Sequence, residues 1–189
     1  MYKRQTRGLP SSPAAAKAAG VALVPEDRKT EGLMLARPIA DNLLAASYPQ
    51  VSRGPFIDEA LAGAAIDSAL AKLRIKIGRP EDPVATLSGG NQQKVVIAKW
   101  LMVAPDLILL NDPTRGIDVG TKQELYRLMR ELADEGRALL FYSTDYAELI
   151  GCCDRVSVMY DGAILTELEG DAITEEAIVA ASLNLGTAA

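Results

Sequence analysis

Three short apolar runs constrain this chain more than any other feature. VALV (21–24), DLILL (106–110) and RALLFYS (137–143) each read as a buried strand, and the segments between them carry a helical period. Strands that alternate with helices form a largely parallel sheet, so the expected fold class is α/β. Between residues 32 and 86 no run reads as a strand; Ile66, Leu70, Leu73 and Ile77 instead fall on one helical face. This predicts a helical subdomain inserted between sheet elements. QQKVVIAKWLMVA is predicted helical, and the next helix takes its apolar face from Leu125, Leu128, Met129 and Leu132, with Gly136 suited to a left-handed cap. RVSVMY and AILTEL flank Asp161-Gly162, a dipeptide favoured in two-residue hairpin turns. A final helix is predicted from near Thr174, with Glu175 and Glu176 at the positive end of its dipole.

Composition removes several kinds of chemistry. With 49% hydrophobic and 24% charged residues, the 189-residue chain can bury a substantial core. A formal net charge of -5 argues against a general nucleic-acid binder, which carries a basic footprint. Histidine is absent, which excludes His-based triads and His-ligated zinc. Cys152 and Cys153 are adjacent, so they offer neither a metal-ligand spacing nor a loop-closing bridge and read as small packed thiols. The basic start followed by small apolar residues is not expected to be a signal peptide, because Lys17 interrupts the apolar part and PEDRKTE follows where a cleavage region would be. VVIAKWLMVAPDLILL is broken by Lys99, Pro105 and Asp106, short of the roughly 20 apolar residues that span a bilayer.

Two strings carry candidate chemistry. LSGGNQQK (87–94) opens a helix: Ser88 can cap free N–H groups, Gly89 and Gly90 let a ligand approach the main chain, and the first turn holds amides and Lys94 instead of acids. An unshielded positive helix end beside a lysine suits a phosphate; an ordinary cap and turn is the plainer alternative. DLILL runs into NDPTRGID (111–118), acids at a strand end where magnesium and phosphate are commonly bound, yet the first polar position is the neutral Asn111.

Read together, LSGGNQQK and LILLNDPTRGID resemble the signature motif, the Walker B strand and the D-loop of ATP-binding cassette (ABC) ATPases, which have a P-loop NTPase-like fold. More narrowly, VPEDRKTEGL (24–33), LSGGNQQK and DPTRGIDVGTK resemble the second cassette of the fused double-cassette ATPases that power bacterial monosaccharide importers. The similarity covers residues 11–185. It implies that Ser88, Gly89, Gly90 and Asn91 hold the γ-phosphate of an ATP bound by the opposite cassette, and that Asp118 is the D-loop acid at the seam between cassettes. Asp118 also reads as an N-cap for a helix beginning near Val119, and both roles can hold.

Against the family pattern E-P-T-x-x-x-D, Asp112 falls at the catalytic glutamate position and Asn111 at the magnesium aspartate position. In the alternative register Asp112 is itself the metal acid, displaced by one; the spacing of DPTRGID favours the first. A neutral Asn111 attracts magnesium weakly, and Asp112 is one methylene shorter than glutamate. Glu26 stands where the family has the Q-loop glutamine and Thr144 where it has the switch histidine. The expectation is an asymmetric machine, in which this cassette's own site is degenerate while its signature completes the partner's.

The resemblance further implies ATP and Mg2+ as cofactors. The implied partners are a second cassette fused upstream, a transmembrane sugar permease docked near Glu26 and residues 32–50, and, indirectly, a periplasmic or extracellular sugar-binding protein, with no nucleic acid. It places the chain peripherally on the cytoplasmic face of the bacterial plasma membrane. No G-x-x-x-x-G-K-[ST] loop occurs in the sequence, so the chain is expected to begin inside a cassette, with the Walker A part missing and MYKRQ foreign. Residues of about 32–100 are assigned to the helical subdomain and 18–31 with 101–189 to the nucleotide-binding core. A nucleotide-sensing module without productive turnover is the alternative function; an ABC ATPase outside transport is a third, disfavoured by the acidity and by the EDR and NQQK details.

Overall fold

The structure, a computed structural model, describes residues 10–184. Its centre is a three-stranded parallel sheet in the order β1 (Val21–Val24), β4 (Leu107–Asn111), β5 (Ala138–Tyr142). A short helix, α1 (Pro13–Ala18), precedes β1 and is capped by the Ser12 hydroxyl. Ala22, Val24, Ile108 and Leu110 point to one face of the sheet and are buried. That face is covered by α4 (Gly89–Leu101), through Val95, Val96 and Ile97, and by α5 (Val119–Asp134), through Leu125, Leu128, Met129 and Leu132.

The opposite face is open among the described residues. Leu23, Leu140 and Tyr142 are 48%, 65% and 57% exposed. This corrects the reading of RALLFYS as a buried strand: an unbroken apolar run predicts burial on both faces, but β5 alternates half-buried and exposed positions.

The region inserted between β1 and β4 is mainly helical, with two corrections. It contains a minimal antiparallel hairpin, β2 (Ser52–Arg53) and β3 (Phe56–Ile57), turning at Gly54 with φ +64°. Two-residue strands are too short to leave an alternation in the sequence. The helix α3 (Glu59–Lys72) also ends sooner than the apolar spacing predicts. Arg74 takes a left-handed φ of 49°, its N–H donates to Ala71 O at 3.2 Å, and Ile75 N–H donates to Leu70 O at 2.9 Å. This is a Schellman termination with arginine where glycine is usual, so Ile77 lies beyond the helix. The expected glycine version closes α5: Gly136 has φ 87°, and Arg137 N–H reaches Leu132 O at 3.1 Å. Ahead of α3, α2 (Ile39–Leu44) buries Ile39 and Leu43 against the shared core. The helix QQKVVIAKWLMVA stops at Leu101, with Ala104 at φ 47° turning the chain into β4.

After β5, α6 (Tyr146–Cys152) leads to the hairpin β6 (Arg155–Tyr160) and β7 (Ala163–Glu169). Asp161 and Gly162 both take positive φ, 48° and 77°, as a two-residue turn of the expected type requires. Val156 and Val158 form a second small core with Ile173 and with Ile178 of α7 (Glu175–Ser182), which starts where expected and is capped by the Thr174 hydroxyl. The expectation that MYKRQ is foreign sequence lies outside the described residues.

Candidate functional site

Parallel strands deliver their following loops to one edge of the sheet, and the sequence-predicted residues Glu26, Asn111, Asp112 and Thr144 all follow or end such strands. Asn111 is the last residue of β4, paired in register with Tyr142 of β5. Asp112 turns away with φ 44°, a left-handed conformation that aspartate tolerates better than most residues, and is 5% exposed. Its N–H donates to Tyr142 O at 2.9 Å, and its carboxylate Oδ2 accepts from Thr144 Oγ1 at 3.1 Å. The structure thus joins Asp112 and Thr144 directly.

Glu26 points elsewhere. It forms an ion pair with Arg115, and the neighbouring Arg28 donates to the carbonyls of Arg115 at 3.0 Å and Gly116 at 3.2 Å. The turn after β1 therefore grips the 112–118 loop from outside.

At the start of α4, Ser88 Oγ accepts from Asn91 N–H at 3.4 Å, no acid occupies the first turn, and Asn91 Oδ1 accepts from Lys76 N–H at 3.2 Å. Two sequence readings are amended here. The glycines are required by this chain's own packing, not only by a ligand: on the Cβ side, a Cβ on Gly90 would lie 2.5 Å from Thr121 Oγ1, and one on Gly89 would lie 2.9 Å from an Arg28 guanidinium nitrogen. Lys94 does not stand free beside the helix end, because its position on α4 faces α5, where it pairs with Glu124 and donates to Arg74 O at 3.4 Å.

The same packing brings the two motifs together. Asp118 caps α5, accepting from Thr121 N–H at 3.0 Å and Thr121 Oγ1 at 2.8 Å. Those two hydrogen bonds hold its carboxyl below the usual range. Thr121 then abuts Gly90, so the signature-like helix start and the 118 corner form one continuous surface.

One residue of the region escaped sequence reasoning. Glu148 on α6 is 4% exposed and accepts hydrogen bonds from Thr114 Oγ1 and Ser143 Oγ on Oε2, each at 2.7 Å. On Oε1 it accepts from Lys122 Nζ at 2.7 Å and Tyr126 OH at 2.8 Å. Burial alone would raise its pKa, but the hydrogen bonds from Lys122, Ser143, Thr114 and Tyr126 outweigh it and the net shift is downward. Lys122 is raised, chiefly by its bond to Glu148, and Tyr126 is raised by burial and by the same carboxylate. The Lys122 and Tyr126 spacing on one helix face was the available signal, but nothing in the sequence named the acid between them.

No cluster of three or more acids, cysteines or histidines is poised for a metal among the described residues. The oxygen donors the chain carries at the end of β4 are the Asn111 amide and the Asp112 carboxylate, the latter with one oxygen engaged by Thr144, while Glu148 is saturated. That donor set fits a hard cation that brings phosphate and water ligands with it, not one caged by protein alone.

The ABC transporter family profile matches residues 13–115. The chain belongs to the ABC transporter family. This cassette is 61% identical, over 92% of its length, to the ribose import ATP-binding protein RbsA 1 of Mesorhizobium japonicum, of which it covers 34%. It is 44% identical, over 95% of its length, to the ribose import ATP-binding protein RbsA 2 of Streptomyces avermitilis, of which it covers 35%. The cassette chain thus spans about a third of the length of the relatives it matches. Among solved structures, a nucleotide-free ATP-binding cassette from an ABC transporter superposes with a TM-score of 0.72 at 19% identity, covering 88% of this chain and 68% of that one. The ADP conformation of the cassette MJ1267 gives 0.68 at 21% identity, covering 91% and 68%. The expected α/β cassette fold is thereby shown.

Proposed function

We propose that this chain is part of an ATP-binding and ATP-hydrolysing subunit that energises sugar import through an ABC transporter, and that it serves the partner cassette's ATP better than its own. The names of the ribose import relatives supply the substrate class. The observation that carries the asymmetry is a contrast within one surface. The Ser88-capped tip of α4 keeps an acid-free first turn, whereas at the end of β4 an amide stands at Asn111 and the Asp112 carboxylate is engaged by Thr144.

In this reading Ser88, Gly89, Gly90 and Asn91 present backbone and side-chain donors to a terminal phosphate, and Asp118 sits at the seam. Asn111 and Asp112 hold the magnesium and water positions of the cassette's own, weak site. Magnesium-ATP supplies the leaving group and the charge neutralisation; the protein's part is to orient and screen. Thr144 orients Asp112 but does not titrate near neutral pH, so it cannot act as a general acid or base. Glu26, tied to Arg115, relays the position of the turn after β1 to the 112–118 loop.

The remaining assignments follow from this reading. Residues of about 32–100 form the helical subdomain, and 18–31 with 101–189 the core. A sugar permease docks near Glu26 and residues 32–50, a second cassette faces Ser88, and a sugar-binding protein acts indirectly through the permease. The subunit is peripheral at the cytoplasmic membrane face. Among the described residues no helix is long and apolar enough to cross a membrane. The isolated polypeptide, without a G-x-x-x-x-G-K-[ST] loop in its sequence, neither binds ATP tightly nor hydrolyses it.

The engaged Asp112 also favours a second reading, a nucleotide-sensing module without turnover. ATP turnover of the full-length protein, measured with and without its permease in membranes, separates the two. Turnover stimulated by the permease supports the transport reading, and the absence of any stimulation supports the sensor.

A further inference from the structure

We propose that Glu148 is a positioning residue that locks the 112–118 loop to Thr144 and to the start of α5. The proposal rests on the reading that Asp118, at the end of that loop, sits at the seam with the partner cassette's ATP, and deepens it.

The four donors to Glu148 come from the segments that carry the candidate site. Thr114 lies two positions after Asp112, and Ser143 immediately precedes Thr144, the partner of Asp112. Lys122 is one turn beyond the Asp118 cap, with its N–H donating to Asp118 O at 3.0 Å, and Tyr126 is one turn further. A single carboxylate therefore ties together the loop leaving β4, the loop leaving β5 and the helix that carries Asp118.

Burying a charge is a poor way to add stability, since a well-packed apolar group of the same volume does as well or better. What the carboxylate adds is geometry: four short hydrogen bonds at 2.7–2.8 Å, one of them from a lysine, fix three segments in one relation. On its outer side, among the described residues, the same loop is held at backbone carbonyls by Arg28 and by the Arg115 ion pair. On the side facing β5, Asp112 is held by its N–H to Tyr142 O and by Thr144 Oγ1, and Glu148 adds the hold at Thr114, in the middle of the loop.

The test uses the full-length protein with Glu148→Gln, which keeps the volume, and Leu132→Ala, which destabilises α5 from its buried apolar face without touching the network. Hydrogen exchange is read without nucleotide, and ATP turnover is read alongside. In Glu148→Gln, amides of residues 112–118 and 143–145 exchange about tenfold faster, while kcat, which depends on this loop through Asp118 at the seam with the partner's ATP, falls about tenfold and KM stays within about twofold. Leu132→Ala leaves those amides and kcat near wild type at matched denaturant stability. Should Glu148→Gln not fold, Thr114→Val and Ser143→Ala each remove one donor and show the same pattern at smaller amplitude.

Identical exchange in Glu148→Gln and Leu132→Ala overturns the proposal, as does a loosened loop with unchanged kcat. The nucleotide-free arm reads the hold on the loop whatever chemistry the chain performs. A failure of the ATP reading shows differently, as turnover that ignores Ser88→Arg.

Discussion

Thr144 Oγ1 lies 3.1 Å from Oδ2 of Asp112 and donates to it, so the loop leaving β5 closes on the loop leaving β4 through these two side chains. A hydroxyl can hold a carboxylate in place but does not titrate near neutral pH, so it cannot replace a histidine as general acid or base. The combined variant Asn111→Asp, Asp112→Glu, Thr144→His in the full-length protein therefore raises ATP turnover, by about tenfold, through a restored second site. A folded variant with unchanged turnover counts against the degenerate-site reading.

The Glu148 cluster predicts a stability profile with two edges. The carboxyl is held below its ordinary 4.5 in the fold. Its contribution is therefore complete above that value and is lost as pH falls through the lower folded pKa. Lys122 is raised above 10.5, so its contribution is complete below 10.5 and is lost as pH rises through the folded value. Between the two edges, Glu148→Gln costs about 3 kcal/mol in urea unfolding, and the acid edge shrinks in the variant. An acid edge of undiminished size assigns it to other carboxylates.

Gly90 is required by packing as well as by any ligand. Gly90→Ala places a methyl 2.5 Å from Thr121 Oγ1. Even with alanine's better helix propensity, the clash lowers stability by about 1–2 kcal/mol. Thr121→Ala in the same chain relieves part of that cost, giving a coupling of about 1 kcal/mol in a double-mutant cycle. Additive effects would mean that the two residues do not meet.

The open sheet face makes a prediction that depends on chain length. Leu140 is 65% exposed, so Leu140→Ser changes the stability of the 189-residue polypeptide by less than about 0.5 kcal/mol. In the full-length protein, where the cassette reading has that face covered, the same change costs about 2 kcal/mol. Equal effects in the two proteins would contradict the reading that the remainder of the cassette covers this face.

What could be read from residues alone divides along a physical line. Features set by local chemistry were legible: the Asp161-Gly162 turn, the Gly136 cap, the Asp118 cap, the helix start near Thr174, and the apolar strands at 21–24 and 107–110. So was the meeting of Asp112 and Thr144, through the resemblance of their surrounding motifs. Features set by distant neighbours were not. Arg74 adopts a glycine conformation because Leu70 and Ile75 close the helix end around it, Lys94 is claimed by Glu124 on another helix, and β5 has one face without a covering layer. Glu148 looks like any acid on a helix until its four donors are assembled from three other segments.

The central claim is that the tip of α4 serves a neighbouring cassette's ATP while the end of β4 contributes little turnover of its own. ATP turnover of the full-length protein after Ser88→Arg and after Asp112→Asn tests it most directly. The account predicts a loss of about 100-fold for Ser88→Arg and a change within about twofold for Asp112→Asn. A large loss from Asp112→Asn with little from Ser88→Arg would reverse the assignment.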